Sequence, residues 1–268
     1  MPRYLTFALI APLASFGGIA VGERRSGWDR PARSAVLGLV GACLGIERED
    51  ADSQAALAAH YGLALLCHAP GRLLADFHTA QVPPTKLGQR FATRAQELAA
   101  PRLNTILTRR DYRSGAWHIA ALWVRGAQSR WPLEAVAEAM RRPKFVPYLG
   151  RKSCPLGLPL APDMRDAIDA AAALLARQAT GPEALLRWRG QFVRDSLAGP
   201  VSDEESMIAM DAPEASLKPG DAGYVAPDDP RRRYVERRRD QPRSRARWQF
   251  DLRQELVLGA VPPPVSAQ

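Results

Sequence analysis

The segment Lys144–Leu160, with the sequence KFVPYLGRKSCPLGLPL, concentrates residue types that can hold a phosphate group. Its prolines exclude a continuous helix, because proline lacks the amide donor of a helix interior and restricts the residue before it. A turn in its middle presents amide donors, hydroxyl and positive charge at one point through Gly150, Arg151, Lys152 and Ser153. Because many surface turns are basic, this turn needs support from other residues before it indicates a phosphate site.

A second group of candidate ligands lies in the run LTRRDY, Leu107–Tyr112. Arginine can pair with a phosphate through two N–H groups or stack on a base, and tyrosine can also stack. Alternation along a strand places Arg109 on the face opposite to Thr108 and Arg110, so at most one of these arginines faces a given ligand. The alternative is an edge strand whose charged side chains keep it from pairing with other chains.

A catalytic interpretation depends on His78, in the run Asp76–Thr79. As a general acid or base in RNA cleavage, His78 would need a neighbour such as Arg110 or Tyr112. A single histidine at a strand end is more often a hydrogen-bonded structural residue. The sequence has no Ser-His-Asp spacing, nucleotide-binding glycine motif, paired-carboxylate site or zinc spacing, so we expect no metal and no cofactor.

The charge of the chain favours a polyanionic partner, most often nucleic acid. Its 268 residues carry a net charge of +9, and the pI is about 10.0. The acidic stretch Ser202–Asp229 and the arginine-rich run Arg231–Arg247 nearly cancel, so the rest of the chain still holds the basic excess. The arginine run is either a free arm that binds phosphates or a solvated loop that the acidic stretch neutralises. The cysteines are widely spaced, which fits reduced thiols in the cytoplasm.

The elements that must position these residues predict an α+β fold. We predict a strand at Tyr4–Leu13, followed by helices at Ala32–Leu44 and Ser53–His60. Two strand pairs follow: a hairpin of Gly62–His68 and Arg72–His78 about Pro70–Gly71, and a pair of Leu107–Tyr112 and Ala116–Val124 about Ser114–Gly115. A helix that begins at Pro132 and a strand at Phe145–Leu149 complete the order. This order resembles the split βαβ, ferredoxin-like arrangement of RNA-recognition domains, which many unrelated proteins share.

Other stretches are less regular. Gln81–Thr105 is polar with spaced cations, and we expect a long functional or disordered excursion there. The second half predicts helices at Met164–Gln178 and Pro182–Leu197, and strand-like alternation over Trp248–Leu258. The apolar stretch Leu5–Val21 is too short and too interrupted for a membrane span, so a buried strand followed by a glycine loop is expected.

Several blocks occur in the order of a known family and span nearly the whole chain. They are YLTFALIAPLASFG, RPARSAVLGLVGACLGIERED, DFHT, LTRRDY, PKFVPYLGRKSCPLGLPL, SDEES and WQFDLR. Together they resemble the CasD subunit family of the type I-E CRISPR Cascade complex, in the RAMP superfamily. The chain departs from the family at PARS, where Pro-Thr-Arg-Ser is usual, and the stretches 164–197 and 202–247 look like additions.

The resemblance implies an RRM-type domain over 1–148 with a protruding thumb at about 81–107. A smaller C-terminal domain over 149–268 would carry extra helices and the 202–247 insertion. It also implies a non-catalytic cytoplasmic subunit that caps the 5′ handle of the CRISPR RNA and contacts the backbone subunit CasC and the large subunit CasA. Target DNA is a further candidate partner for the basic C-terminal stretch, and no membrane contact is implied.

The handle contacts that the resemblance carries over by motif are Ser15, Gly17, Arg33, Ser34, Arg110, Tyr112, Arg151, Lys152 and Cys154. Thr108, Arg109, Gly150 and Ser153 adjoin them, and Arg90 and Arg94 are thumb candidates by position. Cys154 would act as a small packing residue whose backbone approaches the RNA. The alternative is a metal-independent endoribonuclease that processes CRISPR repeat RNA with His78, Arg110 and Tyr112.

Overall fold

The computed structural model describes residues 1–18, 20, 22–84, 88, 90–182 and 206–260, which form a mixed α/β fold around one large sheet. The strands are β1 Arg3–Ala14, β2 Arg24–Arg25, β3 Tyr61–Ala69, β4 Arg72–Val82, β5 Asn104–Val124, β6 Asp163–Asp166, β7 Met207–Asp211, β8 Arg232–Ser244 and β9 Gln249–Gly259. The helices are α1 Arg33–Leu44, α2 Ala51–His60, α3 Arg94–Leu98, α4 Leu133–Arg141 and α5 Ala170–Thr180. The strand order is β6-β1-β5-β3-β7-β9-β8, and β2 and β4 also pair with β5. All these pairings are antiparallel except that of β2 with β5.

Helices cover both faces of the sheet, because side chains alternate between the faces along each strand. On β1, Leu5 and Phe7 pack with α1, α2 and α4, whereas Tyr4 packs on the other face with α5. The predicted strand at the N-terminus and the predicted helices α1 and α2 are confirmed. The helix predicted from Pro132 is also confirmed, and it buries the apolar positions read from its periodicity: Leu133, Val136, Ala137 and Met140.

The hairpin predicted about Pro70–Gly71 and the strand pair predicted about Ser114–Gly115 are both wrong. Strands β3 and β4 run in the same direction, and both pair with β5, which is a single strand of 21 residues. Gly71 and Gly115 have φ angles of 75° and 71°, and Arg72 pairs with Ser114. Gly71 therefore lies in the short break between β3 and β4, against the backbone on either side of Gly115, and the chain reverses at neither glycine.

A two-stranded ribbon extends from the sheet beyond Gly71 and Gly115. It consists of β4 and residues 104–114 of β5, and its last pair joins Val82 to Asn104. The predicted excursion from Gln81 is therefore only the tip of this ribbon, and the tip contains the short helix α3. Large apolar side chains are exposed on the ribbon: Leu73, Leu74, Phe77, Ile106 and Leu107.

Two predictions around residues 145–178 are corrected. Phe145–Leu149 does not form a strand, and Tyr148 makes an isolated bridge to Pro155. The edge strand next to β1 is β6, on the side of β1 away from β5. Because β6 overlaps the start of the predicted helix Met164–Gln178, the observed helix begins only at Ala170. Asp169 caps it by accepting a hydrogen bond from the Ala172 amide at 2.6 Å. The predicted helix Pro182–Leu197 lies almost wholly outside the described residues.

The arginine run is neither a free arm nor a solvated loop, because most of it forms β8, paired with β9. The predicted strand-like alternation over Trp248–Leu258 is confirmed as β9. Inward-facing Arg238 and Asp240 are buried, and Arg238 donates to the Glu255 carboxylate at 3.0 Å. Asp240 accepts from Arg253 at 2.7 Å. Specific buried ion pairs therefore order this segment.

The apolar N-terminal stretch forms the interior strand β1, as predicted. Within the described part of the chain, we find no helix of the length and apolar character needed to cross a membrane.

Candidate nucleic-acid interface

A cleft of about 750 Å³, here termed the basic cleft, opens beside α1. The loop after β1, the first half of α1, the loop up to Arg151 and the turn between β8 and β9 form its walls. Its arginines are Arg25, Arg48, Arg151, Arg239 and Arg245, and its aromatic residues are Phe16, Trp28, Phe145, Tyr148, Trp248 and Phe250. Asp240, the one carboxylate among the described lining residues, is buried and paired with Arg253. Single-stranded nucleic acid is bound by this combination of cations and aromatic rings.

The predicted basic turn is fixed against the loop after β1. The Ser15 amide donates to the Leu149 carbonyl at 3.0 Å, and the Ser15 hydroxyl donates to the Asp111 carbonyl at 3.3 Å. Gly150 has a φ of 93°, and a Cβ there would lie 1.7 Å from the Ser15 carbonyl oxygen. Only glycine fits such a contact, so the sequence dictates how closely this turn approaches β1.

Arg151 extends from this turn over β5. Its guanidinium carbon lies 4.6 Å from the centroid of the Tyr112 ring, and its Nη1 is buried without a hydrogen-bond partner among the described residues. Tyr112 is 8% exposed, so its ring supports Arg151 and offers little surface to a base. The result is a positioned cation with an N–H group that an external acceptor can satisfy.

The structure brings together several of the predicted contacts. Ser15, Gly17, Ser34, Gly150 and Arg151 all line the basic cleft. Arg151 packs on Tyr112, although those two motifs are far apart in the sequence.

Next to Gly150 and Arg151, the predicted contacts divide between surface and interior. Lys152 and Ser153 are exposed, while Cys154 is fully buried. Burial raises the pKa of the Cys154 thiol above its ordinary value, so the thiol is not an activated nucleophile. Cys154 instead packs the turn, and its amide donates to the Arg151 carbonyl at 2.8 Å.

Arg33 does not reach the surface, so its predicted RNA contact is corrected to a structural role. Its side chain is fully buried, and its Nε donates to the Asp211 carboxylate at 3.1 Å. Its Nη2 donates to the carbonyls of Ala58 and Tyr61. A buried guanidinium with these acceptors joins the start of α1 to β7 and β3 and cannot also bind a ligand.

The remaining predicted contacts lie on the ribbon, outside the basic cleft. Arg90 and Arg94 are exposed at its tip. The Thr108 hydroxyl donates to the His78 carbonyl at 3.4 Å, and Arg109 pairs with Asp111 at 3.3 Å. The other arginine of this strand, Arg110, makes no ion pair with a described residue and lies two positions from Tyr112 along β5.

The three residues of the catalytic alternative do not form one site. His78 lies opposite Thr108, whereas Tyr112 lies opposite Leu74, four residues further along the ribbon. At about 3.3 Å per residue this separates them by roughly 13 Å. His78 Nε2 lies 2.8 Å from the Asp76 carboxylate, on the exposed ribbon.

Several cleft residues were not predicted. They are Arg25 on β2, Arg48 in the loop after α1, Arg239 on β8, and Arg245 and Trp248 on the β8–β9 turn. Arg48 packs over the Trp248 ring at 4.2 Å. Their residue types, arginine and tryptophan, are typical of nucleic-acid binding. The packing of the β8–β9 turn against α1, however, cannot be predicted from the local sequence.

Comparison with known proteins identifies a family that matches most of the chain. The family model described as CRISPR-associated protein (Cas_Cas5) matches residues 4–254. The CRISPR system Cascade subunit CasD of Escherichia coli (strain K12) is 33% identical over 186 residues, which are 68% of this chain and 80% of that protein.

Two solved structures share the fold. A chain of a CRISPR RNA-guided surveillance complex aligns with a TM-score of 0.55 and 20% identity, covering 96% of this chain and 90% of that chain. A crystal structure of a Cas protein aligns with a TM-score of 0.51 and 21% identity, covering 97% of this chain and all of that one, 100%.

Proposed function

This chain belongs to the Cas5 family of CRISPR-associated proteins, and we propose that it is the Cascade subunit that binds and caps the 5′ handle of the CRISPR RNA. The observation that carries the proposal is the joining of Ser15, Gly150 and Arg151 at one end of the basic cleft, with Tyr112 beneath Arg151. Single-stranded RNA is recognised by stacking and by contacts to its phosphates and base edges. Arg151 has an unsatisfied N–H group for such a contact.

The fold supports an RNA-recognition type of domain as part of this proposal. Strands β6-β1-β5-β3 follow the sheet order of the ferredoxin-like fold, and α1 and α4 pack on the same face. The ribbon is the proposed thumb. Its exposed apolar side chains, among them Phe77 at 60% exposure, form a surface of the kind that docks another protein. The proposed partners are the backbone subunit CasC at the ribbon and the large subunit CasA nearby, all in the cytoplasm.

The basic C-terminal stretch supports a further contact with target DNA. Arg233, Arg237 and Arg239 are exposed on β8, and Arg237 and Arg239 lie on either side of the buried Arg238. A row of cations on one strand suits a phosphate backbone and needs no base contact.

We propose a non-catalytic role. His78 and Tyr112 lie too far apart along the ribbon for a shared acid–base step. Cys154 is buried with a raised pKa. Arg110 lies opposite Asp76, two residues from the position opposite His78, so the endoribonuclease alternative keeps His78 and Arg110 as neighbours but loses Tyr112.

The double substitution Arg110→Ala and Arg151→Ala is expected to reduce the amount of CRISPR RNA held in the assembled complex by at least about tenfold. Each hydrogen bond from a charged donor contributes about 1.5–3 kcal/mol, so loss of two guanidinium groups is sufficient. The measurement is extraction of RNA from purified complex, followed by quantification of its amount and length on a denaturing gel.

The matched control removes two arginines at the end of α4, outside the cleft, as Arg141→Ala and Arg142→Ala. Their side chains are 51% and 87% exposed, so the net charge changes equally without loss of a cleft contact. RNA of unchanged amount and length in the first variant, or an equal loss in the control, contradicts the assignment.

A further inference from the structure

We propose that Arg48, Arg245 and Trp248 form a second nucleotide subsite, in the part of the basic cleft that the β8–β9 turn lines. This hairpin subsite would bind one phosphate through the two arginines and stack the adjoining base of single-stranded RNA on the tryptophan. The inference rests on the proposed function, since RNA held at Arg151 would continue along α1 to reach it.

Arg245 is a cation held in place without a counter-charge. It lies against α1 beside Gly38, and its Nη2 donates to the Ser34 carbonyl. Its Nε is buried and has no hydrogen-bond partner among the described residues. No carboxylate of the described residues forms an ion pair with Arg245. A buried guanidinium with an unsatisfied donor is costly unless an external acceptor completes it.

Arg48 adds a second positive charge at the same place. Burial lowers the pKa of Arg245, and the nearby charge of Arg48 lowers it further, so the two guanidinium groups repel each other. Neither forms an ion pair with a carboxylate of the described residues, although Glu47 and Glu49 adjoin Arg48 in the chain. Two like charges kept together in this way favour an anion between them, and phosphate is the anion of RNA.

Neither the backbone conformation at position 248 nor burial in the core accounts for the presence of a tryptophan there. Its φ is 52°, a conformation that suits glycine or asparagine and is strained for a bulky side chain. Its side chain is 58% exposed, so the strain is not offset by a place in the core. With Arg48 at 4.2 Å and Phe250 at 6.2 Å, the indole forms an exposed aromatic platform that a base can stack on.

Both groups of residues line the same cleft. Tyr148 lies on the loop that carries Arg151, and it lines this cleft together with Arg245 and Trp248. The unpaired strand of the handle can therefore contact both groups.

The test is nucleotide-resolved protection of the CRISPR RNA from hydroxyl radicals in the assembled complex, with Arg48→Ala combined with Trp248→Gly. We expect one or two handle nucleotides to lose protection by about tenfold, while the nucleotides exposed by Arg151→Ala stay protected. Glycine relieves the strain at position 248, so the melting temperature should not fall. Trp248→Asn, which tolerates the same backbone, is the second variant, and Arg247→Ala is the control on the same turn.

Each result has a defined meaning. If both hairpin variants leave every nucleotide protected while Arg151→Ala exposes the handle, the hairpin subsite is wrong and the proposed function stands. If Arg151→Ala and the hairpin variants all leave protection unchanged, both are wrong. Equal loss in Arg247→Ala would reduce the subsite to a general effect of charge and overturn it.

Discussion

Removal of residues 83–103, with Val82 joined to Asn104 through an Asn-Gly turn, is expected to abolish incorporation into the complex while the body stays folded. The last pair of the ribbon joins these two residues, so a two-residue turn closes it with the correct register. None of the described residues in 83–103 belongs to the hydrophobic core. The measurement is co-purification with tagged CasC, beside a thermal melt of the shortened chain.

A matched control separates the shape of the tip from its charge. Arg90→Ala with Arg94→Ala keeps the tip but removes two of its exposed cations. If this control assembles in part and the deletion variant does not assemble at all, docking depends on the tip as a whole. Normal assembly of the deletion would remove the proposal that the tip takes part in docking, and would leave only the apolar side chains of the two ribbon strands as the docking surface.

Glu255→Gln is expected to lower the free energy of unfolding by about 3–5 kcal/mol, because removal of one partner leaves buried charges uncompensated. Glu255 is 1% exposed and accepts hydrogen bonds from Arg30 and Arg238, each at 3.0 Å. Arg253 also pairs with it. The change is measured by chemical denaturation at pH 7.

The same carboxylate makes stability depend on pH. Burial raises its pKa, but Arg253, Arg238 and Arg30 outweigh burial and lower the pKa from 4.5 to about 2. Its stabilising contribution is therefore complete above about pH 5 and is lost as the pH falls towards 2. The decrease in the free energy of unfolding between these pH values should be smaller in Glu255→Gln than in the unchanged protein. Asp251→Asn, an exposed carboxylate on the same strand, is the control, and equal stability of the two variants would contradict the account.

Local patterns in the sequence predicted the elements whose burial follows a simple period. The helix after Pro132 and the strand β1 are of this kind. Predictions failed where the partner is distant. The glycines at 71 and 115 were interpreted as turns, but Gly71 lies in the break between β3 and β4, and Gly115 lies within β5, which pairs with both of those strands. The run at β8 read as polybasic because its inward positions are charged, and their partners, such as Glu255, lie on another strand.

The candidate site was predictable in part for the same reason. The motifs around Ser15 and Arg151 indicated a phosphate or RNA contact, and both line the basic cleft. Arg33 belonged to a matching motif but is buried in an ion pair with Asp211. This pairing was not predictable, because it depends on where β7 packs. Arg245 and Trp248 were missed because only the fold carries the β8–β9 turn to α1.

The most direct test of handle binding without cleavage is incubation of the purified protein with its repeat RNA in EDTA. A binding gel and a denaturing gel are then run on the same samples, together with an RNA whose handle sequence is removed. We expect the handle-bearing RNA to be bound and to stay at full length, and the truncated RNA to bind more weakly. Site-specific cleavage that disappears with His78→Ala or Tyr112→Phe would contradict this expectation and identify a processing nuclease.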